Sequence, residues 1–325
     1  MNSRKIVGVL VIAAVWLGWT PAAEAVVNIQ NLGAGARSAA LGNSFVAVAD
    51  DADAVFFNPA GLAQLAHREV VYTNVSLLYG GISGDNLGQH VASYVQPLGS
   101  RLGVGVGYER IGSDLMSENG ALLSLGYRVS RDLMVGVSGK YLFWSVGSFE
   151  VTHIADHYTG PLRVGDTHPL SNTTNGALGI DAGLLWQTPL SPAKLGLMVR
   201  NVNQPNVAKN SVQGDSDAGK LPMDVAVGLS YRVDEMSLVT LQWVVQDVTG
   251  DGTENRVVLG GETEVMMGFM VRAGGSMLFQ DDATGNLNAG IGYSWNDVLF
   301  DYGYNIPLDL TETNGAHRFS FAYRF

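Results

Sequence analysis

A partial calcium-binding pattern is the first candidate for chemistry in this sequence. Asp247, Thr249 and Asp251 place oxygen atoms at the first, third and fifth positions of a twelve-residue loop, with Gly252 at the sixth. The last position, which carries a bidentate carboxylate in such loops, is Val258. Calcium binding is therefore one interpretation, and an acidic hairpin loop without a metal is the other.

Two further patterns are weaker. His153, His157 and His168 share the longest predicted loop, and such a loop rarely preorganises metal ligands. The glycine repeat from Gly103 to Gly107 resembles a dinucleotide-binding loop, but no helix is predicted after it. We therefore expect no metal, no cofactor and no enzymatic activity.

The composition excludes several other classes of protein. The chain has no cysteine, which rules out disulfides, thiol chemistry, cysteine-based zinc sites and a lipoprotein anchor. The net charge of −11 argues against nucleic acid as a partner, because phosphates demand a basic surface. The acidic residues concentrate in the predicted long loops. We expect these loops to contribute solubility or to bridge to anionic surface lipid through divalent cations.

A repeat of two residues dominates the chain from Glu69 onwards. Between Arg101 and Glu109, large apolar residues alternate with glycine or charged residues, as on the two faces of a strand. Hydrophobic residues make up 46% of the chain and charged residues 15%, yet no apolar run beyond the N-terminus reaches the ~18 residues of a membrane helix. This pattern predicts an all-β protein, a transmembrane antiparallel β-barrel in the lipid bilayer.

We predict fourteen strands, an even number as in bacterial single-chain barrels. Short and long connections alternate between them, which places the long loops (145–175 among them) outside the cell and both chain termini in the periplasm of a Gram-negative outer membrane. The predicted strands are 69–79, 89–97, 101–111, 121–129, 133–144, 176–187, 193–201, 223–233, 237–246, 255–265, 269–279, 286–295, 298–305 and 316–325.

One contact inside the barrel follows from the predicted register. If Val265 pairs with Phe269 across the turn, Glu262 lies directly opposite Arg272, with both side chains facing inward. Such a pair contributes roughly 0.2–1 kcal/mol. The alternatives are two solvated charges that do not meet, or a bulge at the turn that separates them.

The N-terminal 68 residues do not show the strand repeat. Arg4 and Lys5, an apolar stretch from Ile6 to Trp19 and the small residues before position 26 predict a cleaved export signal over residues 1–25. Residues 26–68 contain many glycines and alanines, which favours close packing against a barrel wall. We therefore predict a hatch over 26–68 and the barrel over 69–325, with a periplasmic linker as the alternative to the hatch.

The predicted hatch carries a family resemblance. It contains Gly-Ala-Arg at 35–37, Ala-Asp-Asp-Ala at 49–52 and then Asn58, Pro59, Ala60 and Gly61. This order resembles the FadL-like outer-membrane proteins and is most similar to their PorV/PorQ branch. The resemblance implies a fourteen-stranded barrel with the N-terminal segment inside it. We further predict that Asn58-Pro59-Ala60 lies near the wall.

The resemblance implies two functions. Some FadL-like members pass fatty acids or aromatic hydrocarbons inward, so one expectation is a passive channel for hydrophobic or amphiphilic small molecules, gated by the hatch. The PorV branch includes a component of a protein secretion system. The alternative is therefore a docking barrel for secretion or surface attachment that transports no solute, with a secreted protein as its partner.

The last predicted strand ends in alternating aromatic residues, Phe321, Tyr323 and Phe325. This ending resembles the signal read by the barrel-assembly machinery, which would make that machinery a partner. The alternative is a strand that contributes only to the aromatic girdle at the membrane interface.

Overall fold

The computed structural model describes residues 32–76, 87–113, 116–148, 167, 171–190, 192–208, 219–249, 252–279, 284–308 and 315–325. The predicted export signal, the three loop histidines and Asp251 lie outside these ranges. Within them, no helix is long and apolar enough to cross a membrane.

The described chain forms a closed barrel of fourteen antiparallel strands, in which each strand pairs with its neighbours in sequence and β1 pairs with β14. The predicted fold class is confirmed. The strands are β1 Glu69–Ser76, β2 Gly88–Leu98, β3 Leu102–Gly112, β4 Met116–Arg128, β5 Leu133–Val146, β6 Thr174–Gln187, β7 Ala193–Arg200, β8 Asp224–Arg232, β9 Ser237–Gln246, β10 Glu254–Met266, β11 Phe269–Phe279, β12 Thr284–Trp295, β13 Val298–Pro307 and β14 Ala316–Arg324.

The two faces of the wall have the chemistry that the alternation predicts. On β4, Leu123, Leu125 and Tyr127 are exposed on the outer face. Ser124, between them, is fully buried on the inner face, and so is Gly126. Large apolar side chains outside and small or polar ones inside reverse the usual arrangement of a water-soluble protein.

Strand β4 begins five residues before its predicted start at 121. Ser117 pairs with Gly112 of β3, and its hydroxyl lies 3.2 Å from that of Ser145 on β5. The sequence from Met116 to Gly120 lacks the apolar and small alternation of the later residues. The backbone hydrogen bonds between strands therefore continue beyond the apolar part of β4. In that region the side-chain types do not alternate, so the sequence does not predict a strand.

Strand β7 is short, and a side chain replaces its missing part. Strand β7 ends at Arg200, and beyond it the side-chain amide of Asn203 forms hydrogen bonds with the backbone of β6. Asn203 Oδ1 accepts from Ile180 N at 2.9 Å, and Asn203 Nδ2 donates to Leu178 O at 2.8 Å. These two bonds satisfy an edge that would otherwise be unpaired.

The turn between β10 and β11 differs from the predicted one. The predicted pairing of Val265 with Phe269 is wrong, because Met266 pairs with Phe269 and the register shifts between Glu264 and Met266. Gly268 adopts a φ of 78°, and its N–H donates to Glu264 Oε1 at 2.7 Å. The extra residue is absorbed next to the turn, so the register further along the strands equals the predicted one.

Residues 32–68, called the inner segment below, lie inside the barrel. The segment contains α1 (Ala36–Ala40), α2 (Ala54–Phe57) and a 3₁₀ helix (Pro59–Gln64). Helix α1 contacts β11 to β14, and the 3₁₀ helix contacts β2 to β6. Since the segment touches opposite sides of a closed wall, it occupies the lumen. Several of its large side chains, including Leu41, Phe45 and Leu62, are fully buried.

Candidate functional site

Glycines of the barrel wall allow the backbone of the inner segment to approach it closely at several points. A Cβ added at Gly126 or Gly136 would collide with the backbone of Pro59. Similar collisions occur around the circumference. They involve Gly103, Gly183, Gly196, Gly260, Gly274 and Gly303. Glycine at these positions permits an approach that no other residue allows.

Wall side chains bind the backbone of the inner segment where it has no secondary structure of its own. Gln242 Oε1 accepts from Phe45 N at 3.1 Å and from Val46 N at 3.0 Å. Ser230 Oγ donates to Ala47 O at 3.0 Å. Buried backbone groups need such partners, so this part of the segment depends on the wall for its conformation.

Asn58 joins the inner segment to the wall. It is fully buried, and its Oδ1 accepts from Ala60 N at 3.1 Å, which caps the 3₁₀ helix that Pro59 begins. Its Nδ2 donates to Val46 O at 2.8 Å within the segment and to Leu184 O of β6 at 3.1 Å. One amide therefore fixes the start of the helix, a neighbouring loop and a strand of the wall.

Gly61 completes the Asn58-Pro59-Ala60-Gly61 motif. A Cβ at Gly61 would collide with Ala49 O, and Ala60 is fully buried. The motif thus lies where the inner segment folds back on itself beside β4, β5 and β6. Pro59 and Ala60 thus lie against the wall at Gly126 and Gly136.

The Glu262 and Arg272 pair belongs to a larger network. Glu262 lies opposite Arg272, and the Arg272 Nε to Glu262 Oε2 distance is 2.5 Å. Arg37 of the inner segment binds the same carboxylate through Nε and one terminal nitrogen, both at 2.9 Å. Bidentate pairing of this kind is strong and directional.

The network continues at both ends. The second terminal nitrogen of Arg37 lies 2.6 Å from Asp50 Oδ1 and 2.8 Å from Asp51 Oδ2. On the wall, Arg272 binds Asp301 Oδ1 at 2.5 Å. Among the described residues of the inner segment, Arg37 is thus the cation that joins carboxylates of the segment to the wall through ion pairs. Sequence reasoning did not assign it a partner, because 225 residues separate it from Glu262.

Burial changes the titration of two carboxyl groups in the inner segment. It raises the pKa of Asp51 to about 7, although the Arg37 guanidinium opposes the shift. Burial and the neighbouring Asp51 carboxylate also raise the pKa of Asp53. The charge of the inner segment therefore changes near neutral pH.

The inner segment separates two cavities in the lumen. The turn-end cavity, of about 420 Å³, opens toward the short turns and is lined by the Arg37 network. The loop-end cavity, of about 340 Å³, lies at the strand ends that carry the long loops. Its lining includes arginines and side-chain amides, namely Arg200, Arg256, Arg318, Asn43, Gln242, Gln246, Asn286, Asn288 and Asn305.

Solved structures resemble this architecture. The chain is similar to the toluene transporter TbuX of Ralstonia pickettii, with 14% identity and a TM-score of 0.66 over 92% of this chain and 100% of that one. The toluene transporter TodX of Pseudomonas putida is 13% identical, with a TM-score of 0.65 over 92% of this chain and 99% of that one. A FadL homologue of Pseudomonas aeruginosa is 13% identical, with a TM-score of 0.57 over 90% of this chain and 98% of that one.

The chain has the fold of the FadL-type barrels. Identities this low establish the fold and nothing finer. No protein-family model and no curated protein sequence matches the chain. The closeness to the PorV/PorQ branch stays a prediction from the N-terminal motif.

The described residues of the predicted calcium loop do not belong to this network. Asp247 adopts a φ of 52°, and its N–H donates to Asp224 Oδ1 at 3.0 Å. Thr249 follows it in the same loop, and no cluster of three metal-binding side chains occurs among the described residues. The calcium loop stays a prediction because Asp251 is not described.

The C-terminal aromatic residues lie on the outer face of the FadL-type barrel. Phe321 and Tyr323 are exposed on β14, and Phe325 stacks on Tyr94 of β2 at a ring-centroid distance of 6.3 Å. Phe325 N and O also exchange hydrogen bonds with Arg68. These residues have a structural role in closing the wall, and their recognition during assembly stays a prediction.

Proposed function

We propose that this chain is an outer-membrane barrel that passes small hydrophobic or amphiphilic molecules passively when the inner segment moves. In this proposal residues 1–25 direct export, 26–68 form the gate and 69–325 form the barrel, with both termini in the periplasm. The observation that carries the proposal is that the inner segment separates two lumen cavities and, beyond its chain connection to β1, meets the wall through noncovalent contacts.

The nature of those contacts supports a movable gate. The wall meets the inner segment through glycines, hydrogen bonds and the Arg37 ion pairs. Water can replace these hydrogen bonds when the segment shifts, so the net contribution of each bond to stability is modest. The absence of cysteine from the chain means that no disulfide ties the segment to the wall.

The class of solute is inferred from two observations. The outer face is apolar along the strands, which suits delivery from or into a lipid bilayer. Two of the similar structures are described as toluene transporters. The polar lining of both cavities adds room for a hydrophilic group on the solute, which favours amphiphiles over plain hydrocarbons.

A reversible cross-link tests the proposal. Ser44 of the inner segment and Thr240 of β9 have hydroxyl oxygens 2.8 Å apart, so cysteines at both positions suit a disulfide. The matched control joins two wall strands, because Ser124 of β4 and Ser138 of β5 have hydroxyl oxygens 2.6 Å apart. In a cysteine-free chain each double variant has a single pair to oxidise.

Flux of a fluorescent alkyl amphiphile into liposomes is the measurement. We expect the oxidised Ser44→Cys/Thr240→Cys variant to lose most of its flux and to regain it on reduction. The oxidised Ser124→Cys/Ser138→Cys variant should carry the probe like the unmodified chain. Equal flux in the locked and reduced forms would reject gating by the inner segment. No flux in any form would reject the channel and leave the docking barrel as the remaining interpretation.

A further inference from the structure

The loop-end cavity has an unusual charge for this protein. Arg200, Arg256 and Arg318 line it, and no aspartate or glutamate is among the described residues of its lining. The chain as a whole carries 30 acidic and 19 basic residues, so a cationic cavity runs against the overall balance. The turn-end cavity, by contrast, is lined by both signs of charge.

Two of these arginines have unused donors. The Nε atoms of Arg256 and Arg318 are buried without a hydrogen-bond partner in the part of the chain that the structure describes. Arg318 is 4% exposed and directs its terminal nitrogens to the carbonyls of Leu32 and Gly33 and to Gln89. A buried N–H of a cation without an acceptor is costly, which points to an acceptor supplied from outside the protein.

Arg256 is the most available of the three. Within the part of the chain that the structure describes, its side chain has no hydrogen-bond or ion-pair partner, and the nearest carboxylate in sequence is that of Glu254, two residues away along β10. Arg200 differs, since it lies opposite Asp224 in the pairing of β7 with β8. Arg256 is therefore the residue on which a ligand would depend most.

We propose that the loop-end cavity is a binding site for a small oxyanion, presented as a carboxylate or sulfonate group. Guanidinium groups bind planar oxyanions through paired N–H donors, and the surrounding asparagine and glutamine amides supply further hydrogen bonds to polar atoms nearby. A volume of about 340 Å³ falls within the range of small-molecule sites. This site goes beyond the proposed channel and does not rest on it, because binding requires no passage.

Calorimetric titration of the full chain in lipid nanodiscs tests the site. The probes are succinate, a free polar anion, and octane-1-sulfonate, an amphiphilic one, each beside its uncharged analogue, succinamide or octan-1-ol. The variant is Arg256→Gln, and the matched control is Arg232→Gln, which removes an arginine from the lining of the turn-end cavity.

We expect at least one anion to bind, its neutral analogue to bind at least tenfold more weakly, and Arg256→Gln to lower affinity at least tenfold. Arg232→Gln should leave the affinity unchanged. Preference for succinate would identify a free polar anion, and preference for octane-1-sulfonate an amphiphilic headgroup. Binding of neither anion, or equal binding by the Arg256→Gln chain with an unchanged melting temperature, would overturn the proposal.

The same titration on the oxidised Ser44→Cys/Thr240→Cys variant separates this site from the channel. We expect the anion to bind this locked barrel like the unmodified chain. If the anion binds but no form of the protein passes the fluorescent probe, the anion site is retained and the channel is rejected. Flux without anion binding would retain the channel and overturn the site.

Discussion

The two lumen cavities differ in how the inner segment meets them. At the turn end, Arg37 of the segment binds Glu262 of the wall, and the charges around the cavity largely compensate one another. At the loop end, neutral amides such as Gln242 hold the backbone of the segment, and the Nε atoms of Arg256 and Arg318 are buried without a hydrogen-bond partner among the described residues. The segment is thus fixed by charge on one side and by backbone hydrogen bonds on the other. Perturbing one side should leave the other largely intact.

The largest effect should come from Arg37→Met at the turn end. The substitution leaves the buried Asp51 and the partly exposed Asp50 without their cation and removes one of the two cations bound to Glu262. Breaking a buried ion pair in this way costs about 3–5 kcal/mol. We expect a lower melting temperature and a higher single-channel conductance in planar bilayers.

Arg68→Met is the control for this variant. Arg68 is exposed, and its guanidinium lies over the Phe325 ring at 5.9 Å. Its removal should leave conductance unchanged. Unchanged conductance for both variants would contradict a gate fixed by charge at the turn end.

A smaller loss should follow substitution of Asn58, which acts between the two cavities. Asn58→Asp keeps the acceptor for Ala60 N and loses the donor to Val46 O and Leu184 O, whereas Asn58→Ala loses all three bonds. An unsatisfied buried group costs about 1–3 kcal/mol. Thermal unfolding should therefore rank the alanine variant below the unmodified chain. Hydrogen exchange of Ala60 N should distinguish the two variants, with faster exchange only in Asn58→Ala.

Steric pressure on the wall should also displace the segment. A Cβ at Gly136 would collide with Pro59 and Ala60, whereas one at Gly139 on the same strand would meet nothing within 4 Å. Gly136→Val should cost about 1–3 kcal/mol of packing and raise conductance. Gly139→Val should do neither. The comparison fails if both valine variants conduct alike.

The smallest effect should be a pH dependence at the turn end. The folded-state pKa of Asp51 is raised to about 7, so the folded state binds this proton more tightly than the unfolded state does. The resulting stabilisation is fully present below the usual pKa and is lost as the pH rises through about 7. Between pH 6 and 8 the free energy of unfolding should fall by about 1 kcal/mol for this reason. Conductance should rise over this interval, and Asp51→Asn should flatten the profile. A wild-type profile that does not change with pH would rule out this role of Asp51.

The barrel could be predicted from the sequence because its evidence is local. A strand with one lipid face and one lumen face repeats every two residues, and most strand bounds were predicted to within three residues. The start of β4 was missed because polar residues occupy both of its faces there. The shift near Glu264 was missed because a bulge leaves no mark on the alternation.

The candidate site was harder to predict because its contacts are distant in sequence. The alternation of inward and outward positions along β10 and β11 was enough to predict that Glu262 and Arg272 face the lumen. No feature of the neighbouring sequence relates Arg37 to either residue. The loop-end arginines had a usable signal. Arg256 and Arg318 occupy inward positions near strand ends, next to the predicted long loops, and the alternation already assigned those positions to the lumen.

The pairing of β1 with β14 has a consequence for the order of folding. Glu69 pairs with Arg324, so this seam joins the start of the barrel to its end, and its contacts are among the most distant in the chain. Contacts of such separation form late, because a long stretch of chain must first be ordered. The inner segment already touches strands on both sides of the seam, through α1 at β14 and the 3₁₀ helix at β2. Because the segment fills the lumen on both sides of the seam, we expect it to take its place before or while the seam closes.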